Sequence, residues 1–259
     1  MIVLDTTDFN KTLQKKVNEQ TEDLKDLLNM KTEFLTVASH QLRTPTSVVK
    51  SALDMVVKND VKGEQREQFI NNAYLNSIRL ERIISDLLLA MDIEGANLEL
   101  LSKPVQTNEA VKRAYDARVL QAKEKGLEYL INLPKEDLPF IVADEQKLVD
   151  ILTGLLDNSM NYTKKGKVEI GAYEDKEKNE IVIYIRDTGM GIKKDEMRKL
   201  FKKFDRTKRA IITHPDGSGL GLFIAKQIIE AMGGTIKLSS EGEDKGSEVT
   251  IRLKIMPIK

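Results

Sequence analysis

Only two histidines occur among the 259 residues, and His40 lies in a segment whose residue types suit phosphoryl chemistry. Residues 39–45 read Ser-His-Gln-Leu-Arg-Thr-Pro, with helix-forming sequence on both sides. An imidazole has a pKa near ~6.5, so much of it is neutral at physiological pH and one ring nitrogen can attack an electrophilic phosphorus. From these residues alone, a surface histidine beside an accidental proline is an equally open interpretation. The second histidine, His214, is expected to be a solvated loop residue.

A second group of polar side chains is predicted on a helix that begins after Asp144. Steps of four and seven residues place Asn158 and Tyr162 on the inward stripe of this helix, with Asn161 beside them. A buried amide needs a partner. Asn158 therefore either bonds to backbone or holds an ion such as Mg²⁺ through its carbonyl oxygen.

A third group, Asp-Thr-Gly-Met-Gly over residues 187–191, directly follows a predicted strand. A carboxylate fixed at a strand end can accept a hydrogen bond from an exocyclic amine such as that of adenine. Gly189 and Gly191 would let the backbone approach a flat ligand closely. The pattern is weak by itself, because many strand-to-loop turns share it.

A glycine-rich stretch, Gly-Ser-Gly-Leu-Gly-Leu over residues 217–222, opens the last predicted helix. Backbone N–H groups that glycines expose at a helix N-terminus form a cradle for phosphate, and the helix dipole favours the negative charge. The context argues against a dinucleotide site, since a loop precedes the glycines and no compact strand-turn-helix unit surrounds them.

Taken in order, these segments resemble the sensor histidine kinases of two-component systems, which combine a phosphoacceptor helical hairpin with a Bergerat-type ATP-binding domain. The resemblance covers roughly residues 10–256, nearly the whole chain. Five motifs in the family's order leave little room for coincidence. The matching segments are residues 39–45 (H box), 155–163 (N box), 187–192 (G1 box), 201–206 (F box) and 217–222 (G2 box).

The resemblance implies a role for each of these residues. His40 would attack the γ-phosphate of ATP through Nε2, and the phosphoryl group would pass to an aspartate of a response regulator. Asp187 would bind the adenine amino group, Asn158 would coordinate Mg²⁺, and Arg206 would be a candidate for contacting the γ-phosphate beneath a mobile lid, residues 192–217. The residues implied in binding ATP are Asn158, Asn161, Tyr162, Asp187, Gly189, Gly191, Gly217, Gly219, Leu220 and Gly221.

Several residues in the matching segments affect the activity that this resemblance implies. Gln41 stands where glutamate or aspartate usually follows the phosphoacceptor. An amide can hydrogen-bond but cannot take a proton, so slower autophosphorylation is expected. Thr44 matches the position that orients water for dephosphorylating the partner, so phosphatase activity is also expected. Gly154 replaces a frequent asparagine and Asn161 a lysine or arginine, and we expect ATP binding to survive with altered phosphate contacts.

The elements that position the histidine segment are helical. A polar stretch from about Asp8 has a weak coiled-coil heptad and continues to about Val57, and a second amphipathic helix covers residues 64–91. Two copies of this hairpin, side by side, would bury their apolar stripes in a four-helix bundle. The heptad core positions are Val17, Leu24, Lys31 and Ala38, and Leu13, Gln20, Leu27 and Phe34.

Residues 93–104 break the helical pattern and mark a domain boundary. Beyond them, helices and strands alternate, which predicts a mixed sheet with helices on one face. The predicted fold class is α+β, with a dimeric helical hairpin forming a four-helix bundle over residues 1–94 and an α/β sandwich ATP-binding domain over residues 95–259. Strands are predicted at residues 127–133, 140–142, 167–173, 181–186, 235–238 and 248–255, and helices at residues 107–126, 144–162, 195–204 and 220–232.

The composition excludes several classes of function. With 41 basic and 41 acidic residues the net charge is zero, which argues against a general nucleic-acid binder. Absence of cysteine excludes disulfides, thiolate metal sites and thiol catalysis. No apolar run approaches the ~18 to 20 residues that cross a bilayer. This agrees with what the resemblance and the apolar hairpin stripe imply, which is a cytoplasmic homodimer without membrane contact in this chain and with a response regulator receiver domain as partner. Whether it is the cytoplasmic portion of a larger, membrane-bound sensor stays open.

Two other functions remain open at this point. A chaperone or mismatch-repair type ATPase with the same ATP fold would turn ATP over steadily without a phosphoprotein, but it leaves the His40 segment unexplained. A catalytically weak signalling dimer that binds nucleotide only to change shape, or a sensor biased towards phosphatase activity, is favoured by Gln41 and Gly154.

Overall fold

Two long helices open the chain in the computed structural model, which describes residues 6–95, 97–197, 199–214 and 217–257. Helix α1 spans Thr6–Val57 and α2 spans Gly63–Glu94. Positive φ angles at Asn59 (56°) and Gly63 (54°) reverse the chain between the helices, in the gap that the sequence predicts between residues 57 and 64. In the part of the chain that is described, no helix has both the length and the apolar character needed to cross a membrane.

The hairpin buries some apolar side chains, among them Ile83, and leaves many large ones exposed. Ala52 and Ala73 are buried, but Val17 and Leu24 of the predicted heptad are 47% and 57% exposed. Such an exposed stripe is what a hairpin needs in order to pack against a second copy. The dimer itself stays a prediction. The side chains of Leu27, Lys31 and Phe34, also assigned to the heptad, lie outside the described residues.

The chain divides into two compact units between Ile84 and Ser85, within α2. The predicted domain boundary after residue 94 coincides with the end of α2 at Glu94. The division into domains at that residue remains a prediction.

The second unit is built on a five-stranded sheet of order β2-β4-β5-β7-β6. Strand β2 runs parallel to β4, and the other neighbouring pairs are antiparallel. Strands β1 and β3 form a separate antiparallel pair. The bounds are β1 Lys103–Val105, β2 Glu128–Asn132, β3 Ile141–Ala143, β4 Lys167–Asp175, β5 Glu180–Asp187, β6 Thr235–Ser239 and β7 Ser247–Lys254.

Helices cover one face of this sheet. Alternate residues of β5, among them Ile183 and Ile185, are buried in the same core as Leu152 and Leu156 of α5, as a half-covered strand requires. The prediction of a helical hairpin followed by an α/β sandwich is confirmed. The helices of this unit are α3 Thr107–Asp116, α4 Val119–Glu124, α5 Glu145–Tyr162, α6 Lys194–Met197, α7 Lys208–Thr213 and α8 Gly221–Ala231.

The helix predicted from Thr107 to near residue 126 is in fact two helices, α3 and α4. Gln106 is the N-cap, and its side chain accepts from the Asn108 N–H, while Thr107 is the buried first helical residue. The break between the helices contains Arg118, which pairs with Asp157 of α5. That tertiary contact cannot be seen in the periodicity of the sequence.

Two further elements differ from the sequence prediction. The helix expected at residues 195–204 is shorter, Lys194–Met197, and α7 was not expected. Strand β1 was also missed, because Pro104 was interpreted as a break. A proline is tolerated in a strand at the edge of a sheet, where its missing N–H leaves no ladder bond unmade.

Asp144 should be the side chain that stabilises the start of α5. Its Oδ1 accepts from the Lys147 N–H at 3.1 Å and its Oδ2 from the Leu101 N–H at 3.0 Å. We predict that Asp144→Ala lowers the free energy of unfolding by about 1–2 kcal/mol, measured by urea denaturation, because both backbone donors lose their acceptor. Asp137→Ala, at an exposed position, is the control. Equal stability of the two variants would contradict the assignment.

Candidate functional site

Strand register places a buried carboxylate at the end of β5. Asp187 is opposite Val168 at the start of β4 and opposite Ser247 at the start of β7. One end of the sheet therefore brings together the Asp187 side chain, the loop after it and the first residue of β7. Asp187 is 6% exposed, an unusual degree of burial for a carboxylate.

Hydrogen-bond donors from several chain segments hold this carboxylate. The Gly189 N–H and the Ser247 N–H donate to Oδ1 at 2.9 and 3.2 Å, and the Ser247 hydroxyl donates to Oδ2 at 2.6 Å. Burial raises the pKa of the Asp187 carboxyl above its usual range, and the hydrogen bonds, including one from Ser159, partly oppose that rise. The result is a fixed acceptor directed into the region between β5 and α5.

The loop after β5 is shaped by close backbone approach. The Met190 N–H donates to the carbonyl of Tyr162 at 3.1 Å, which joins this loop to the end of α5. Gly191 has φ +59°, and a Cβ there would overlap the carbonyl oxygen of Gly242 in the β6–β7 turn. The structure thus brings Tyr162, Asp187, Gly189 and Gly191 together, and their role in binding ATP stays a prediction.

The polar residues of α5 separate into two environments. Asn158 is half-buried, and its side chain makes no hydrogen bond with the residues that the structure describes. The Asn161 oxygen instead accepts from the Lys125 ammonium at 2.6 Å, and burial lowers the pKa of Lys125. The Asn158 side chain thus has no hydrogen-bond partner among the described residues, while the Asn161 side chain is bonded to Lys125 at the end of α4.

Arg206 organises the segment predicted to be the lid. Its guanidinium donates to the carbonyls of Gly217 at 2.9 Å, of Ala210 at 3.0 Å and of His214. These bonds close the chain around α7. The predicted γ-phosphate contact of Arg206 stays a prediction, and the observed role of its side chain is to hold the lid backbone.

A second arginine attaches α7 to its surroundings. Arg209 donates to the Met190 carbonyl at 3.2 Å and to Asp244 Oδ1 at 2.8 Å, and it pairs with Glu243 at 3.2 Å. The hydrogen bond to Asp244 raises the pKa of Arg209 further above its usual range. His214 at the end of α7 is half-buried rather than solvated, with its ring edge-on to Tyr162 at 6.4 Å.

The glycine-rich segment leads into α8. Gly219 has φ +74° and lies against Phe204, whose N–H donates to the Gly219 carbonyl at 3.0 Å. Leu220 is the N-cap of α8 and is fully buried, while Gly221 is the first helical residue and is exposed. The first turn of a helix has N–H groups without intrahelical acceptors, so this terminus can hold an anion.

The remaining predicted residues lie in α1, in the first unit. His40 and Thr44 are exposed and Gln41 is half-buried. The Thr44 hydroxyl donates to the His40 carbonyl at 3.3 Å. The His40 imidazole is thus presented on the surface of a continuous helix, as the sequence predicts.

Sequence reasoning missed the residues that hold Asp187 from the other strand. Ser247 opens β7 and Gly246 directly precedes it, and a Cβ at Gly246 would overlap the Asp187 carbonyl. The sequence does show a Gly-Ser pair at the start of an alternating strand. Only the pairing of β7 with β5, however, places this pair beside Asp187. Arg209 and Ser159 were missed for the same reason, since their partners are distant in sequence.

Two family models match two successive parts of the chain. Residues 30–96, which include His40, match the model described as the His Kinase A (phospho-acceptor) domain. Residues 143–257, which include Asn158, Asp187 and Gly219, match the model described as the Histidine kinase-, DNA gyrase B-, and HSP90-like ATPase. The chain belongs to the sensor histidine kinases. The second unit of this histidine kinase is accordingly an ATP-binding domain.

The histidine kinase has a relative of clear similarity among characterised proteins. Sensor protein SrrB of Staphylococcus aureus (strain MRSA252) is 32% identical over 246 residues, which are 93% of this chain and 40% of SrrB. The chain thus spans less than half the length of that relative.

Solved histidine kinases share its fold. The Acinetobacter baumannii histidine kinase AdeS has a TM-score of 0.65 at 23% identity, over 84% of this chain and 98% of AdeS. ThkA, in complex with the response regulator protein TrrA, has a TM-score of 0.68 at 20% identity, over 93% of this chain and 66% of that one. Full-length ShkA in complex with AMPPNP has a TM-score of 0.64 at 24% identity, over 86% and 46%. At such identities the likeness concerns the fold.

Burial of Asp187 should cost stability at neutral pH. Its pKa is higher in the folded chain than in the unfolded one, so between the two values the folded state binds more protons and stability falls as pH rises. We predict that Asp187→Asn is more stable than the parent at pH 7, and that the difference disappears as pH falls to the unfolded aspartate pKa near ~3.9.

Urea denaturation at a series of pH values measures this difference. Asp137→Asn, which changes an exposed aspartate, should show no comparable dependence on pH. A variant Asp187→Asn that is less stable than the parent at pH 7 would show that ionised Asp187 stabilises the fold.

Proposed function

We propose that the chain is an ATP-dependent protein-histidine autokinase that passes its phosphoryl group to an aspartate of a response regulator. The observation that carries the proposal is the exposed His40 of a phosphoacceptor hairpin followed, in one chain, by an ATPase unit with a donor-held carboxylate at Asp187. The AMPPNP complex of ShkA and the response regulator complex of ThkA support ATP and a response regulator as the partners.

Adenine would be recognised by Asp187. Its carboxylate oxygens accept bonds from Gly189 and Ser247 and can also accept from the exocyclic amine of adenine. Gly189 and Gly191 keep this loop free of side chains, so that a flat base can approach the backbone. The observed burial of Asp187 makes the hydrogen bond stronger than it would be in water.

The phosphates would lie between α5 and the start of α8. Gly217, Gly219, Leu220 and Gly221 would contact them through backbone N–H groups at the helix N-terminus. Arg206, Tyr162 and Asn161 would lie along the phosphates, with Arg206 also retaining the lid. Binding along this path concentrates donors on the oxygens where charge develops during phosphoryl transfer. The residues that would contact ATP are Asn158, Asn161, Tyr162, Asp187, Gly189, Gly191, Gly217, Gly219, Leu220 and Gly221.

Asn158 fits a Mg²⁺ ligand. Its half-buried amide oxygen has no hydrogen bond with the described residues, and an amide oxygen that retains bound water between itself and the ion suits Mg²⁺. When bound, Mg²⁺ supplies positive charge to the β- and γ-phosphates. Among the described residues there is no cluster of three acidic or imidazole groups that offers another site.

The chemistry requires only one protein nucleophile. A neutral His40 nitrogen forms a bond to the γ-phosphorus, the bond from that phosphorus to the bridging oxygen breaks, and ADP leaves with the electron pair. Gln41 can hydrogen-bond to the imidazole but cannot take its proton, so this step should be slow. Thr44 would orient water when the phosphorylated partner is hydrolysed, which adds phosphatase activity to the proposal.

The assembly and location are proposals of the same kind. The exposed stripe of α1 and α2 supports a homodimer in which two hairpins form a four-helix bundle. A cytoplasmic location is proposed, because ATP and response regulators are encountered there. The chain has no identified nucleic-acid or membrane partner in this proposal.

The test is incubation with γ-labelled ATP and Mg²⁺, scoring acid-labile, base-stable label. We predict label on the parent, none on His40→Ala, and faster labelling of Gln41→Glu, because a carboxylate can accept the proton. His214→Ala, which removes the other histidine, is the matched control and should keep the label.

Two results would contradict the proposal. Steady ATP turnover with no labelled protein would favour a clamp-type ATPase. ATP binding with neither label nor turnover would favour a nucleotide-gated signalling dimer.

A further inference from the structure

The last part of α2 belongs to the ATP-binding unit rather than to the hairpin alone. Residues from Ser85 onward group with that unit, and Leu87 and Ile93 pack against its hydrophobic core. The end of this helix is therefore fixed by apolar contacts close to the proposed nucleotide site. Two of its acidic side chains also contact segments near that site.

One carboxylate of this segment reaches the glycine-rich loop. The Ser218 hydroxyl donates to Asp86 Oδ2 at 3.0 Å, and the same hydroxyl oxygen accepts from the Leu220 N–H at 3.3 Å. A single hydroxyl thus joins a charged group of α2 to the N-cap residue of α8. Because Ser218 uses its one proton on Asp86, its lone pair is directed to the backbone of the loop.

A second charged contact joins the lid itself to α2. Lys203 pairs with Glu94, the last residue of α2, and its ammonium lies 5.0 Å from the Phe223 ring in α8. Burial lowers the pKa of Lys203, so the contact is partly removed from water. Lys203 within the lid and Ser218 directly after it are therefore both attached to the end of α2.

These two attachments meet in the loop itself. The Phe204 N–H, next to Lys203, donates to the carbonyl of Gly219, next to Ser218, at 3.0 Å. One backbone hydrogen bond thus links two sets of contacts. The first set runs from Asp86 through Ser218 to Leu220, and the second joins Glu94 to Lys203, which precedes Phe204. A shift of α2 cannot leave the N-terminus of α8 in place unless some of these bonds break.

We propose that Asp86 is a positioning residue for phosphoryl transfer, which orients Ser218 and thereby the backbone N–H groups at the N-terminus of α8. This inference rests on the proposed function, because those N–H groups are where the ATP phosphates would bind. Asp86 acts through Ser218 and does not touch the nucleotide.

The charge of Asp86 makes this role specific. A charged acceptor holds the Ser218 hydroxyl more firmly than a neutral one does. The hydrogen bond should therefore be weaker if an amide replaced the Asp86 carboxylate. By reciprocity, ATP bound at α8 must stabilise the end of α2 as much as the end of α2 stabilises bound ATP.

The decisive experiment compares ATP with adenosine on the full chain by calorimetry. We predict that Asp86→Ala weakens ATP binding about tenfold, the order expected for loss of a hydrogen bond to a charged group, and leaves adenosine binding unchanged. Ser218→Ala should have the same effect, and the double variant should be no weaker than the single ones, because both act through one contact. Asp92→Ala, at an exposed position of the same helix, is the matched control.

Each outcome decides the inference. Additive losses in the double variant, unchanged ATP binding, or equal losses for ATP and adenosine would overturn it, since a general loss of structure weakens both ligands. Should Asp86→Ala fail to fold by circular dichroism, Ser218→Ala, which removes only a hydroxyl, decides alone. A parent chain that binds no ATP would overturn the proposed function itself, and the control measurement on the parent separates that case from failure of the Asp86 role.

Discussion

A carboxylate buried at the end of a strand is the constraint on which the second unit depends. Taking the charge of Asp187 out of water is unfavourable unless hydrogen-bond donors surround it. Those donors come from Gly189 and Ser247, so the loop after β5 and the start of β7 must keep their register with Asp187. The register in turn fixes the loop against α5 and against the β6–β7 turn. Glu243 and Asp244 of that turn pair with Arg209, which belongs to the lid. An acceptor prepared in this way needs little rearrangement when a ligand amine arrives.

Much of the fold follows from short-range features of the sequence. The period-two alternation at residues 181–186 predicts β5 to within about one residue, because every second side chain must face the helices. The cap at Asp144 and the apolar stripe after it predict α5 in the same way. The motif residues Asp187 and Gly191 were also accessible, since a carboxylate after a strand and a glycine at positive φ carry local meaning.

Features that depend on contacts between residues distant in sequence could not be predicted from the sequence. The break between α3 and α4 coincides with Arg118, whose partner is in α5, and the donor Ser247 acquires its role only when β7 pairs with β5. The three lid carbonyls that Arg206 binds are likewise set by the path of the lid, which no periodicity describes. Local pattern thus predicts which residues are present, whereas register and loop path decide what each one touches.

The most direct measurement is the affinity of the chain for ATP beside inosine triphosphate, in the parent and in Asp187→Asn. Inosine carries a carbonyl oxygen where adenine carries its amine, so the Asp187 carboxylate would face a second acceptor. The account predicts that the parent binds ATP at least about tenfold more tightly, because an unpaired buried polar group is costly. It also predicts that Asp187→Asn reduces or reverses this preference, since its amide nitrogen can donate to the carbonyl. Equal binding of the two nucleotides by the parent would contradict the assignment of Asp187 as the residue that recognises the base.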